Sequence, residues 1–357
     1  MTKKPTLLDF FLEGVDEICG YPEQIILQYP ALPFRFSGMV YLESRLSDVN
    51  FQCDLSAPLP LFELGKYLSS SEFKSGFLSG SITSNLYNFY RAWVCDSFLQ
   101  KVCGQVWIES YRACAESRPC APRYFLHDLH FKDWLNSDKA VELFNRLIPW
   151  LPYSRFYVVR DVVSSLVKLC QLMPNGSRVM QLSSVFRGRS ESKQLCVRVV
   201  MSMKSSDVES FLSSIGVSFT AERQLFLKRL AVFQVFIALS LDVLPAFNQI
   251  NLLGLGVECY PLPGVDPLDY FADLLSKFPG ETAGSFERLD MYSDWFCFAD
   301  VIWPGSTKLS MTRRFISHIK FPLIVAEEVW PKIYCGFEIL PQSLRDWVPK
   351  SALKSFW

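Results

Sequence analysis

The sequence predicts an α+β fold: a closed ten-stranded antiparallel barrel built from about five ββαα repeats, with the helices outside. Three observations predict it. First, a short strand-like phrase recurs as Met39-Val40-Tyr41-Leu42-Glu43-Ser44, Gln105-Val106-Trp107-Ile108-Glu109-Ser110, Leu255-Gly256-Val257-Glu258-Cys259-Tyr260 and Tyr334-Cys335-Gly336-Phe337-Glu338-Ile339. Second, each copy sorts by parity, because a strand turns successive side chains to opposite faces. Val40 and Leu42, Val106 and Ile108, Leu255 and Val257, and Cys335 and Phe337 form an apolar face. The other face carries Tyr41, Glu43 and Arg45; Trp107, Glu109 and Tyr111; Glu258 and Tyr260; and Lys332, Tyr334 and Glu338. Third, stretches with helical spacing separate the strand pairs.

The pairs follow in order. Gly38–Arg45 and Val49–Leu55 are joined by a Ser-Asp turn, and Gln105–Tyr111 is followed by Arg123–His127. Val179–Phe186 and Gln194–Met201 flank the polar hairpin loop Arg-Gly-Arg-Ser-Glu-Ser-Lys. Gln249–Tyr260 reads as one long strand or two around Gly254, and Phe315–Val325 with Lys332–Ile339 makes the last pair. Helical spacing is found at Phe62–Leu68, Leu86–Val102, Ala140–Leu147, Val158–Leu172, Asp207–Ile215, Ala221–Leu244, Pro267–Lys277 and Arg288–Ala299. Ser206-Asp207 ahead of Val208-Glu209 has the pattern of a helix cap. The expected organisation is one domain over 1–357, with repeats at 36–103, 104–173, 174–245, 246–305 and 306–357. An open sheet would expose two edges, whereas closure removes them and leaves the polar face lining a lumen. The competing arrangement is two α+β domains divided near Pro174-Asn175-Gly176.

Composition narrows the function. The chain has 357 residues, half of them hydrophobic and a fifth charged, which suits a large core and argues against wholesale disorder. Its 36 basic and 36 acidic residues cancel, so no nucleic-acid partner is expected. The 11 cysteines form no Cys-x-x-Cys pair, and an acidic amphipathic stretch follows the N-terminal Met-Thr-Lys-Lys-Pro. Reduced thiols and a cytoplasmic location are expected. The longest apolar run, Leu230 to Leu241, falls short of the roughly 20 residues that span a bilayer, and reads as a buried helix.

This layout resembles the ABBA prenyltransferase barrel, and within that class the cyanobactin-type enzymes that prenylate ribosomal peptides. The likeness lies in the hairpin and amphipathic helix of Val179–Leu212 and in the final hairpin Arg314–Ile339. The resemblance implies a transferase that prenylates a side chain of a ribosomally made peptide, or a small aromatic acceptor. The donor would be an allylic diphosphate such as dimethylallyl or geranyl diphosphate. A strand glutamate would be the base and strand Lys, Arg and Tyr the diphosphate clamp, which carries over to Glu43, Arg198, Lys332 and Tyr334.

The residues themselves can supply that chemistry. Arg45, Arg198, Lys320 and Lys332 on the lumen face, with Tyr334, are candidates to hold a diphosphate, which cannot be buried without partners. Tyr41, Tyr111, Tyr260, Tyr334 and Trp107 could shield an allylic cation at about 0.5–2 kcal/mol each. Glu43 or Glu109 could accept the proton, and Glu258 and Glu338 face the same space. Four glutamates could equally pair with the four cations as structural salt bridges. The sequence has no Asp-Asp-x-x-Asp cluster; Mg²⁺ accompanying the diphosphate is the one cofactor considered, and no protein-bound metal is expected. His127 and His130 with Cys120 nearby fall short of a zinc set. Arg187-Gly-Arg189 with Lys193 reads as a basic, solvated hairpin tip that could touch an acidic peptide. Gly254-Leu-Gly256 reads as strand glycine making room for a ligand or bulge. The alternative function is a non-catalytic peptide- or enzyme-binding partner in peptide maturation, in which the polar face closes into ion pairs.

Overall fold

The computed structural model describes residues 39–44, 49–54, 88–89, 91–93, 95–110, 123–130, 136–187, 194–261, 266–278, 297–302, 309–324 and 331–340. Early strands are β1 (Met39–Ser44), β2 (Val49–Asp54), β3 (Cys103–Ser110), β4 (Arg123–Leu129), β5 (Arg178–Arg187) and β6 (Gln194–Lys204). They are followed by β7 (Phe236–Ala246), β8 (Gln249–Cys259), β9 (Cys297–Ile302), β10 (Leu309–Ile324) and β11 (Lys332–Ile339). The helices are α1 (Ser97–Val102), α2 (Ser137–Leu147), α3 (Val159–Gln171), α4 (Val208–Ser214), α5 (Ala221–Phe233) and α6 (Pro267–Lys277). Four helices start on a side-chain cap. Asp96, Asn136, Thr220 and Asp266 accept from backbone N–H groups of the first turn, and Pro267 occupies the adjoining position where no N–H is needed.

All strand pairings are antiparallel, in the order β11-β1-β2-β3-β4-β5-β6-β7-β8-β10-β9, with a further pairing between β10 and β11. The 16-residue β10 is shared along its length. Leu309–Arg314 pairs with β9, Thr312–Lys320 with β11 and Ile319–Ile324 with β8. Pro322 sits where the β8 register shifts, so its missing N–H falls at an irregularity rather than in a regular ladder.

Both faces of the central strands are largely buried, and side-chain character rather than burial tells them apart. Val197, Val199, Met201 and Met203 of β6 are buried, as are Ile237, Leu239, Leu241 and Val243 of β7 and Leu255, Val257 and Cys259 of β8. They share one hydrophobic core with the apolar stripes of the helices, such as Ala140, Leu143, Phe144 and Leu147 of α2. Helix α3 packs on β7 and β8 and also against α2. Its Ser165 hydroxyl fastens the turn after β7, donating to the Ala246 carbonyl at 2.7 Å and accepting from the Ala246 N–H at 3.1 Å. The neighbouring Ser164 hydroxyl accepts from the N–H of Asn248, whose φ of 57° lies in the left-handed region.

Several expectations are corrected here. The segment Ala221–Leu244 is not one helix: α5 ends at Phe233, and Leu230 to Leu241 runs from helix into strand β7. The switch falls at Gln234, whose backbone N–H closes the helix on Leu230 and whose buried amide donates to Tyr260 O and Tyr270 Oη. A continuous apolar run does not by itself distinguish a buried strand from a buried helix. The Gln249–Tyr260 segment is one strand, β8, ending at Cys259, and it pairs with β7 on one side and β10 on the other. Part of the expected helix Arg288–Ala299 is instead the start of β9, so among the described residues eleven strands pair rather than ten. Asp207 does not cap α4; its carboxylate accepts from the Ser206 hydroxyl after one 3-10 turn. Phe62–Leu68 lies outside the described residues.

Replacing Ser165 with alanine strips a buried donor and acceptor from Ala246 without altering packing volume. The expected loss is about 2 kcal/mol of stability, measured by urea unfolding.

Candidate functional site

The site grows from the polar parity of β6, β7, β8, β10 and β11. Across the register, Arg198 stands opposite Asp242, Asp242 opposite Gly254, and Glu258 opposite Lys320. His318 stands opposite Tyr334. Cross-strand partners project on the same side, so the register alone assembles a charged and aromatic surface. That surface opens into a cavity of about 280 Å³. Its described walls include Arg198 and Val200 of β6, Glu258 and Tyr260 at the end of β8, and Lys320 of β10. His127 and Gln181, partners in the β4–β5 register, face them. Residues from β4 and β11 meet in this one space, which requires the sheet to curl.

Two ion pairs organise the charges. Asp242, 1% exposed, accepts from Arg198 Nε at 2.7 Å and Nη2 at 3.1 Å, and from Arg187 Nε. Burial works to raise the Asp242 pKa, but the guanidiniums of Arg198 and Arg187 outweigh it and hold the carboxyl far below the usual range. Glu258 accepts from Lys320 Nζ at 3.1 Å and from the Tyr260 hydroxyl at 3.3 Å. Its pKa is also lowered: burial opposes, while Lys320 and then His318 favour the charged form. The two strand glycines fit under these pairs. A Cβ on Gly254 would meet Asp242 Oδ2 at 2.8 Å, and one on Gly256 would meet Lys320 Cε at 2.9 Å.

An aromatic stack forms the opposite element. The His318 ring lies flat on Tyr334, with centroids 4.1 Å apart, and its other neighbour is Tyr260 at 4.8 Å. Ser317 and His318 both line the cavity because the β10–β11 register shifts between Ile316 and His318. Ser317 Oγ lies 3.0 Å from His318 Nδ1. Thiolate chemistry finds no support beside the cavity. Burial and Asp242 push the Cys196 thiol up to about 12, and burial raises Cys259 as well.

Of the residues singled out by the sequence, the structure brings Arg198, Lys320, Glu258, Tyr260 and Tyr334 to one cavity. Lys332 is half-buried opposite Lys320 in the register and is not among the described lining residues. For Tyr41, Glu43, Trp107, Glu109 and Glu338 only the backbone is described. Glu43 stands opposite Tyr334, Tyr41 opposite Gly336, and Glu338 opposite Arg313; Glu109 stands opposite Arg123 and Trp107 opposite Phe125. Arg45, Tyr111, Cys120, Arg189 and Lys193 lie outside the described residues.

Asp242 was missed because it sits in the run taken for helix, although Leu239-Ser240-Leu241-Asp242-Val243 alternates with period two. Arg187 was taken for a solvated tip, and the structure instead ties it to Asp242. Gly254 and Gly256 make room as expected, but for side chains of this chain.

Asp242 gives a testable pH dependence. Its folded pKa lies below its unfolded value, so its stabilisation is present above the unfolded pKa and lost as pH falls through the folded one. Removing one partner of a buried pair costs about 3–5 kcal/mol. Asp242→Asn should therefore lose about that much at neutral pH, and its deficit relative to wild type should narrow below about pH 4, as read by urea unfolding at a series of pH values.

No protein-family model matches the chain, and no curated protein matches it. Among solved structures the chain is similar to a 6-dimethylallyl tryptophan synthase, over 94% of this chain and 97% of that one, with a TM-score of 0.53 and 13% sequence identity. At that identity the likeness is one of fold: the chain has the antiparallel-sheet-and-helix architecture of the dimethylallyl tryptophan synthase, in keeping with the resemblance of its strand pattern to the ABBA prenyltransferase barrel.

Proposed function

We propose that the chain is a transferase that moves a prenyl group from an allylic diphosphate to an aromatic acceptor, either a small molecule or a side chain of a ribosomally made peptide. The observation that carries this reading is the convergence of Arg198 and Lys320 with the Tyr260–His318–Tyr334 stack around one cavity. Among the side chains described there, three cations, Arg187, Arg198 and Lys320, meet two carboxylates, Asp242 and Glu258, which supports an anion such as a diphosphate as the ligand. The aromatic rings could shield the allylic cation formed as the carbon–oxygen bond to the diphosphate breaks. The name of the fold neighbour joins a dimethylallyl group to tryptophan, which supports a short donor and an aromatic acceptor. The volume of about 280 Å³ also favours a short donor, since it lies just below the usual range of ligand pockets, roughly 300–1,000 Å³.

A five-carbon tail contributes only roughly 4 kcal/mol by burial, so most affinity must come from the diphosphate contacts. We assign those to Arg198, Lys320 and Tyr334, with Arg45 and Lys332 as further cations of the same face. Glu258 is engaged by Lys320, so Glu43, opposite Tyr334 in the register, is the better base for the acceptor proton, with Glu109 second. Mg²⁺ is assigned no protein ligands: among the described residues no group of three His, Cys, Asp or Glu side chains is placed to hold it. Closure of the sheet into one barrel domain is part of this proposal. Its support is β11, which pairs with β1 on one side and β10 on the other. No helix among the described residues is long and apolar enough to cross a membrane. A cytoplasmic location is proposed with it, supported by the thiol state of Cys95, Cys170, Cys196 and Cys259.

One observation favours the second reading, a non-catalytic partner that binds a peptide or an enzyme. Arg198, Lys320 and Glu258 are all engaged in ion pairs, as a purely structural face would require.

Calorimetry with dimethylallyl and geranyl diphosphate separates the two. Prenyl transfer predicts micromolar binding of the dimethylallyl compound, weakened at least about tenfold in Lys320→Gln. Absence of heat with both ligands overturns the transferase in favour of the binding partner. Glu43→Gln should keep donor affinity while turnover with an indole or tyrosine-containing acceptor falls about 10²–10⁴-fold.

A further inference from the structure

Arg198 is not simply a cation on the cavity wall; its guanidinium is gripped from behind. Asp242 engages it side-on through Nε and Nη2, at 2.7 and 3.1 Å. A guanidinium held that way has its end-on edge turned away from the carboxylate. Arg198 lines the cavity, whereas Asp242 and Arg187 are not among its described lining residues. The carboxylate is 1% exposed and is held in turn by Arg187 Nε, so it cannot swing to follow the ligand. Gly254 completes the arrangement, because any side chain there would strike Asp242 Oδ2 at 2.8 Å and Arg187 at 3.3 Å.

Two opposite consequences follow for an anion entering the cavity. As a charge, Asp242 repels it. As a brace, Asp242 fixes the fork that must receive it, removing the rotamer entropy a free arginine would lose on binding. Two guanidiniums around one carboxylate keep a net positive charge, so the brace does not cancel the receptor it holds. We propose that Asp242 is a positioning residue that, locked by Arg187 and cleared by Gly254, presents the Arg198 fork as a preformed receptor for a diphosphate-type anion. This inference rests on the proposed diphosphate chemistry and extends it to residues that do not touch the ligand.

Inorganic pyrophosphate is the probe, titrated by calorimetry into wild type, Asp242→Asn and Gly254→Ala, with melting temperature and circular dichroism recorded for each. Positioning predicts that Asp242→Asn binds pyrophosphate about tenfold more weakly, even though the variant is one charge more positive. A charge or purely structural role predicts the opposite sign: equal or tighter binding in a folded variant, which overturns the proposal. If Asp242→Asn does not fold, Gly254→Ala carries the test, since it keeps every charge and crowds the carboxylate and the Arg187 guanidinium that locks it; unchanged affinity there overturns the proposal equally. Wild type that binds no pyrophosphate sinks the diphosphate reading itself and this inference with it, an outcome distinct from wild-type binding that the variants fail to disturb.

Discussion

A carboxylate shielded from water must be met by donors or be protonated, and Asp242 is met by two guanidiniums. That single constraint ties four consecutive strands together. Arg187 comes from β5, Arg198 from β6, Asp242 from β7, and the space they need comes from Gly254 of β8. A one-residue slip of any of these strands would put its member of the cluster on the apolar face, where Val197, Leu241 or Leu255 now packs. The polar cluster and the hydrophobic core therefore specify the same register from opposite sides of the sheet. Neither alone would do so as strongly, because an apolar face tolerates exchanges that a bidentate pair does not.

The other half of the site depends on β10. It is far longer than an ordinary strand and serves three neighbours in succession, so a side chain on it can meet residues distant in the sequence. Lys320 reaches Glu258 of β8, while His318, two residues earlier, stacks on Tyr334 of β11. The irregularity between Ile316 and His318 brings two successive residues to the cavity, where a regular strand would offer one. Cation and aromatic surface thus sit side by side because one strand carries both.

Where alternation was strict and turn residues bounded the segments, the sequence was legible: β1 with β2, β5 with β6, and β11 fall within a few residues of where parity places them, while β10 starts six residues earlier than expected, at Leu309. So does the polar character of the face, including Arg198, Lys320, Glu258, Tyr260 and Tyr334. What could not be read was pairing. Parity says that Glu258 and Lys320 face one way, but only the strand order makes them register partners. Strand β7 is hard to read because Ile237, Ala238, Leu239 and Leu241 are small or apolar on both faces, leaving only Ser240 and Asp242 to mark a polar side. Arg187 was hidden for a related reason: a basic residue at a hairpin end is usually solvated, and nothing local reveals a buried carboxylate two strands away.

The ion pairs bear on how a charged cavity of this kind must be built. Isolated lysines and arginines around a small cavity would repel one another, the lysines losing their charge and the arginines their order when no ligand is bound. A full complement of carboxylates would neutralise them and leave nothing for an anion to bind. The arrangement around Asp242 and Glu258 lies between these limits, with one carboxylate shared by two guanidiniums and one by an ammonium and a phenol. Among its described side chains such a surface pairs every carboxylate yet keeps one more cation than carboxylate. The glycines of β8 are what make it sterically feasible, since charged heads this close to a sheet need backbone with no side chain beneath them. In this chain a strand with two missing side chains is the floor on which the charged site stands.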